Sequence, residues 1–322
     1  MIFRYAILFL TLAPLGFADY TLQDGKLVER ETVATLSDQE HYSGMIDAFE
    51  SLDWKRLIRE AQIISRNFSS TPYARDVAYY LGVAYFHMGD YELANVEFTD
   101  YLTRQATPKF FDSAIQYKFE IAEGFRTGKK KHFLGLQALP KWTPAGSDAI
   151  SIYDEVISAY PHHELAAYSL FGKAQILSKR EDFRASIEAY QTLIRRFPKH
   201  PLSIESYIGI GEVYLSQAEA EYPDPDFLDL AELNLRKFKT SFPGEEKLEI
   251  AEGNFIRMQD YYASCFFDTA KFYERTKKWG AAKIYYQKIL ATYPNSEIAT
   301  KSKARLENIQ AKIDRIEAKR AK

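Results

Sequence analysis

Four times from Ala149 onward a small residue is followed twelve positions later by a proline: Ala149 and Pro161, Ser186 and Pro198, Ala231 and Pro243, Ala282 and Pro294. Proline disfavours helical backbone in the residue before it, so each such pair marks the closing turns of a helix. Apolar residues ahead of those prolines recur three and four apart, as in Ala231, Leu235, Phe238 and in Ala282, Tyr286, Ile289, which is the period of one helix face. A spacing that returns four times is hard to assign to chance. It restricts the chain to helices stacked in series.

The stretch from Arg75 to Pro108 gives the length of one unit of that series. Leu81-Gly82 is followed by Tyr85, Gly89-Asp90-Tyr91 interrupts the helical pattern, and Ala94, Phe98 and Tyr101 resume it. Gly82 and Ala94 are small where two antiparallel helices would cross closely, with Leu81, Tyr85 and Phe98 filling the space around the crossing. This is the layout of a tetratricopeptide repeat. The expected fold is all-α, a tetratricopeptide-repeat solenoid over residues 37–295 with about six helix pairs. Ser37 and Glu40 have capping-box spacing and open pair one. Pair three carries about 18 residues between its helices, from Gly128 to Gly146, an insertion of the kind that forms a loop on one face of a solenoid. Pair five holds Ile210-Gly211 and Tyr214, and a connecting helix is expected from about Glu245 to Tyr262. Pair six follows from Phe266. Residues 296–322 read as one amphipathic capping helix, needed to shield the end of the array.

Composition narrows the function. Aromatic residues make up 15% of the chain, with 23 Tyr and 22 Phe against 15 Gly and 12 Pro, enough to build a continuous core and to set aside disorder. The net charge of −2 gives no global field for a phosphate backbone, so no nucleic-acid partner is expected. Residues 1–18 have the charged start, apolar run and small-residue exit of an export signal, with Arg4 ahead of it and Gly16-Phe17-Ala18 at its end. An uncleaved anchor is the alternative reading. Residues 19–36 are polar and read as a flexible lead-in. Cys265 is the only cysteine, so a cysteine-based zinc site and an intrachain disulfide are excluded, and no cysteine follows Ala18 to accept lipid.

No motif points to catalysis. Gly124 to Lys130 is one residue short of a phosphate-binding loop and lacks the hydroxyl after the lysine. His162, His163 and His200 each sit just past a helix-ending proline, where solvent-facing histidines are ordinary and a third metal ligand is not supplied. The run from Lys129 to His132 reads as a solvated loop, or as a contact for an acidic partner or lipid headgroup. The chain is expected to be no enzyme, with no cofactor and no metal. What remains is surface. The first helix of each pair should line a groove that grips an extended peptide or a partner helix, which nominates Tyr42, Phe49, Tyr79, Val83, Phe86, His87, Phe119 and Arg126.

The segment FFDTAKFYERTKKWGAAKIYYQKILATYPNSEIATKSKARLENI, residues 266–309, resembles a late repeat of the BamD family of outer-membrane-assembly lipoproteins. The match lies in its aromatic pairs, its Tyr-Pro-Asn-Ser exit and the helix that follows. The enlarged turn of pair three is similar to an insertion in that family's third repeat. The chain departs from the family in lacking the lipid-accepting cysteine and in showing six pairs where the family has five. The resemblance implies a scaffold in the periplasm or on the periplasmic face of the outer membrane, peripheral association with the membrane being left open. Its implied partners are β-barrel substrates and subunits of the assembly machine. It places peptide contact at Tyr79, Phe86 and His87, and subunit contact at Trp279 and Tyr286. The other readings carried forward are an adaptor for cell-wall synthesis or division and a secretion chaperone built from the same repeats.

Overall fold

A computed structural model of the protein describes residues 20–23, 26–29, 33–133, 139–221, 224–294 and 296–320. The export signal expected at residues 1–18 lies outside the described residues. The chain is 78% helical with 13 α-helices among the described residues, which makes it all-α. The helices run α1 (Asp38–Glu50), α2 (Trp54–Asn67), α3 (Val77–His87), α4 (Tyr91–Arg104), α5 (Phe111–Arg126), α6 (Gly146–Ala159), α7 (Glu164–Lys179), α8 (Phe183–Arg196), α9 (Pro201–Ala220), α10 (Pro225–Ser241), α11 (Leu248–Arg275), α12 (Trp279–Thr292) and α13 (Glu297–Arg320). Contacts divide the chain into two compact units, Met1–Ile121 with Lys130–Thr143, and Ala122–Lys129 with Pro144–Lys322.

Sequence-encoded caps set the helix ends. Ser37 opens α1 with both halves of a capping box: the Glu40 amide donates to Ser37 Oγ at 3.3 Å and the Ser37 amide to Glu40 Oε2 at 2.9 Å. These bonds to Ser37 hold the Glu40 carboxyl below its usual range. Asp53 and Asp182 cap α2 and α8 in the simpler way. His163 and His200 turn out to be caps as well, each ring Nδ1 accepting the amide two residues on, at 3.2 and 3.1 Å. At the other ends, Tyr160, Phe197, Phe242 and Tyr293 each precede one of the recurring prolines. Their ψ angles of 66°, 55°, 68° and 54° show the backbone leaving the helix one residue before the ring closes it off.

One turn is used five times. After α1, α3, α5, α7 and α11 a residue with positive φ (Leu52, Gly89, Gly128, Glu181, Lys277) is followed by an amide that donates to the carbonyl five residues back, at 2.8–3.0 Å. That is a Schellman exit, which satisfies carbonyls the helix leaves open. Only Gly89 and Gly128 fill it with the residue type it favours.

The small residues lie where helices touch, though not always where the spacing placed them. Ala94, Ala149, Ser186 and Ala282 are fully buried, and Ser186 donates its hydroxyl to the Ala174 carbonyl at 2.9 Å, so a polar side chain is tolerated at the crossing. A Cβ on Gly82 would stand 2.7 Å from the Phe98 ring of its own pair. In pair five the equivalent anchor was expected at Gly211, but Gly211 has open space around it. Gly209 is the tight one, 2.7 Å from the Tyr190 ring of the preceding pair, and Gly172 meets Tyr153 in the same manner.

Three further differences from the sequence reading follow from local chemistry. The connecting helix expected to end near Tyr262 runs on through Phe266 as the 28-residue α11, because Ala263-Ser264-Cys265 holds neither glycine nor proline to stop it. Part of the lead-in pairs as an antiparallel hairpin of β1 (Tyr20–Gln23) and β2 (Lys26–Glu29), in register Tyr20 to Glu29 and Gln23 to Lys26. The pair-three insertion contains two strands, β3 (Lys130–His132) and β4 (Lys141–Pro144), joined in a two-stranded sheet.

Candidate functional site

Tyr42, Phe49, Tyr79, Phe86 and His87, nominated on the first helices of pairs one and two, lie on a ladder of rings in the first compact unit. Phe49 on α1 meets Tyr80 on α3 edge-on at 5.2 Å, and Tyr42 meets Tyr73 at 5.0 Å. Trp54 stacks on His87 at 4.7 Å with 6° between planes. Phe86 packs edge-on to Tyr91 and Tyr117, while Tyr79 stacks on Phe110 at 4.4 Å and touches Tyr101 and Phe98 besides. Two nominations lose their surface here: Val83 is 1% and Tyr79 8% exposed, the latter because Phe98 and Tyr101 of its own pair and Phe110 beyond it close over the ring. Burial accordingly pushes the Tyr79 hydroxyl up from its usual range. Tyr42, Phe49, Phe86 and Phe119 are half-buried and His87 is exposed. Next to Phe119, Lys118 is fully buried and donates to Asn95 Oδ1 at 2.8 Å and Thr99 Oγ1 at 2.6 Å. That tie of α5 to α4 has no signature in the sequence.

Arg126 belongs to the second compact unit and is already engaged. Its guanidinium donates from Nε to Glu123 at 3.0 and 3.1 Å and from Nη1 to Gln175 at 3.0 Å, and the Tyr153 hydroxyl donates to the same Glu123 carboxylate. Bonding to Glu123 raises the arginine further above its ordinary value. A side chain held this way fixes α5, α6 and α7 to one another, and a partner would have to compete with four internal bonds, the fourth from Nη2 to Glu123 Oε2.

Trp279 stands at the start of α12 in a groove of about 540 Å3 formed with α11 and α13. Lys312 Nζ sits 4.6 Å from its ring centre, a cation over an aromatic face. Around it are Lys271, Arg275, Arg305 and Phe272, with Asp268 and Glu274 as the acids, so four cations face two carboxylates. Phe272 is 49% exposed and Tyr286 0%. Tyr286 is therefore corrected from a contact residue to a support. Its hydroxyl donates to Glu274 Oε2 at 3.0 Å, and Glu274 in turn faces Arg305 at 3.4 Å and Lys312 at 3.9 Å. Burial, then Glu274, pushes that hydroxyl well above its usual range. The chemistry on offer is recognition of an acidic chain with an apolar side chain beside its carboxylates.

A second groove, of about 640 Å3, runs in the first compact unit between α2 and α4 over Leu81 and Tyr85 of α3, with Arg66, Arg104 and Glu97 on its walls. It lies on the second-helix side, where the sequence reading placed no site. Among the described residues no group of three or more His, Cys, Asp or Glu could hold a metal, and no helix is long and apolar enough to cross a membrane.

The YfiO family, described as outer membrane lipoprotein, matches residues 142–322. Solved structures similar to this chain include a tetratricopeptide repeat protein from Parabacteroides merdae, 12% identical, covering 85% of this chain and 98% of that one with a TM-score of 0.37. MamA from Desulfovibrio magneticus is 15% identical, covering 66% and 99% with a TM-score of 0.34. The thermophilic repeat protein TTC0263 from Thermus thermophilus is 12% identical, covering 68% and 99% with a TM-score of 0.31. No curated protein matches the chain.

Proposed function

Since the chain belongs to the YfiO family of outer membrane lipoproteins, a scaffold of paired helices for protein partners, we propose that it is a non-enzymatic adaptor on the periplasmic side of the outer membrane that takes part in β-barrel assembly. The observation that carries this reading is the Trp279 groove, which lies inside the matched segment and joins an exposed aromatic rim at Phe272 to four cations. Such a surface suits an acidic face of a partner subunit, since four of its six charged side chains are cations and Phe272 beside them is exposed. The half-buried rings of the first compact unit, Tyr42, Phe49, Phe86 and Phe119 with exposed His87, then serve extended barrel segments.

A photo-crosslinking residue placed at Phe272 in cells tests this directly. Recovery of barrel-assembly subunits, lost when Arg275 and Lys312 are both changed to Glu, is the expected result. Recovery of cell-wall synthesis or division proteins alone would replace the reading with that of an adaptor for those processes.

A further inference from the structure

Large apolar side chains that reach the surface of this protein do so mostly one at a time, which is ordinary. Helix α10 is the exception. Leu230 is 43% and Leu233 39% exposed, and among the described residues they are the one pair of exposed large apolar side chains three or four positions apart on a helix. The stripe continues both ways, to Asp226 four residues before Leu230 and to Lys237 four residues after Leu233. Steps of four, three and four keep all four side chains on one face. Asp226 and Lys237 are exposed. Among the described residues neither side chain has an ion pair, the Asp226 amide alone being engaged, with Asp224 Oδ1 at 3.1 Å.

Leu230, Leu233 and Lys237 also border a groove of about 350 Å3 that α10 forms with α8 over Tyr207, Ile210 and Tyr214 of α9. The other charged residue on its walls is Arg195, so the groove offers two cations and no carboxylate. Both cations stand at one end. Arg195 is the last residue but one of α8, just before the chain enters α9, and Lys237 precedes Phe238, whose ring stacks on Tyr207 near the start of α9 at 5.2 Å.

This stripe is its own complement. Turned about a two-fold axis passing between Leu230 and Leu233, a second α10 lies antiparallel to the first, so that Leu230 faces Leu233 of the copy and Asp226 faces Lys237 at both ends. The acid that the groove lacks is thereby supplied by the copy, whose Asp226 arrives where Lys237 and Arg195 stand. A parallel arrangement would set Asp226 against Asp226 and Lys237 against Lys237, so charge selects the antiparallel one.

We propose that this face of α10 is an isologous contact between two copies of the chain, with Leu230 and Leu233 at its centre and an ion pair of Asp226 with Lys237 at each end. A contact one helix wide makes a weak, exchangeable dimer, with a dissociation constant on the order of 10 μM. None of its residues borders the Trp279 groove, so its failure would leave the reading of that groove untouched.

Sedimentation velocity of the full chain over a concentration series tests it. The protein should pass from monomer to dimer through the micromolar range. Leu233→Asp should weaken association roughly hundredfold or more, since two-fold symmetry counts each substitution twice. Asp226→Lys and Lys237→Glu should each weaken it roughly tenfold by setting like charges together. The double variant restores both pairs in reverse and should return to within about threefold of the parent. All four should keep the parent's circular dichroism, because these side chains lie outside the core. A chain that stays monomeric up to about 1 mM overturns the proposal, as does a dimer that Leu233→Asp leaves intact. A double variant no tighter than the two single ones overturns it as well.

Discussion

The aromatic face of α1, α3 and α5 and the groove at Trp279 are made from the same kinds of residue and come out differently. In the first, rings find rings: Trp54 lies flat against His87, and Tyr79 is enclosed by Phe98, Tyr101 and Phe110. In the second, the ring's neighbours are lysine and arginine, so Lys312 rests on Trp279 and Phe272 stays at the surface. Aromatic content is thus a poor measure of available surface. The next row of side chains matters: Tyr79, ringed by aromatics, is packed away, whereas Phe272, with the Arg275 guanidinium over its ring, stays 49% exposed, because ammonium and guanidinium groups keep their hydration.

The comparison breaks most visibly under truncation. Tyr79→Ala should cost about 3–5 kcal/mol, as for deletion of a buried ring. Trp279→Ala should cost about 1–2 kcal/mol while removing the crosslinks formed from Phe272. Urea unfolding of the two variants beside a partner-recovery assay measures both. A Trp279→Ala loss as large as that of Tyr79→Ala would make the groove a piece of core.

A smaller effect separates the two uses of glycine. Gly82→Ala and Gly209→Ala each push a methyl group against a ring, at 2.7 Å in both cases, and should lose about 1–3 kcal/mol. Gly211→Ala, with nothing within 4 Å, should instead gain up to about 1 kcal/mol from helix propensity. Opposite signs at positions two residues apart in α9 would confirm that stacking between pairs, and not closure within pair five, sets its glycine. Below that come the turns. Lys277 holds a φ of 60° in the exit that Gly89 fills at 77°, so Lys277→Gly should raise the thermal midpoint by relieving about 1 kcal/mol of strain, less the entropy glycine adds to the unfolded chain.

The smallest expected change is electrostatic. Burial, with Asp100 adding to it, raises the Glu97 carboxyl above its ordinary value, and Arg104 opposes the shift. A carboxyl whose folded value lies above its unfolded one binds its proton more tightly in the folded state. Its charge therefore detracts from stability at neutral pH, and the penalty fades as pH falls through the folded value. Glu97→Gln should stabilise slightly at pH 7 and have no effect near pH 4, read from denaturant midpoints at the two values.

How much of this was legible in the sequence depends on whether a signal is local. The capping box at Ser37, the exits before Pro161, Pro198, Pro243 and Pro294, and the crossing at Gly82 all act within one helix pair, and each stands where the spacing put it. Signals that depend on a neighbour did not resolve. Helical period tells which residues share a face but not what covers it, so Tyr79, Val83 and Tyr286 read as surface and are packed shut. The buried amine of Lys118, the salt link from Lys141 back to Asp90 and the cations around Trp279 join residues tens of positions apart. No periodicity encodes them. His163 and His200 show a subtler limit, since histidine is an uncommon cap and its role appears only once the ring nitrogen is seen beside the second amide of the helix.

Those two histidines carry one more implication. His163 and His200 hold nearly the same backbone angles, φ −86° with ψ 156° and φ −77° with ψ 141°, and each stands two residues past a proline at the same kind of helix exit. The segment 164–200 is therefore bounded by interchangeable joints: excising it would bring His163 against Pro201 and recreate the junction it removed. A lineage assembled from such parts can lengthen or shorten by a whole pair without inventing a new seam.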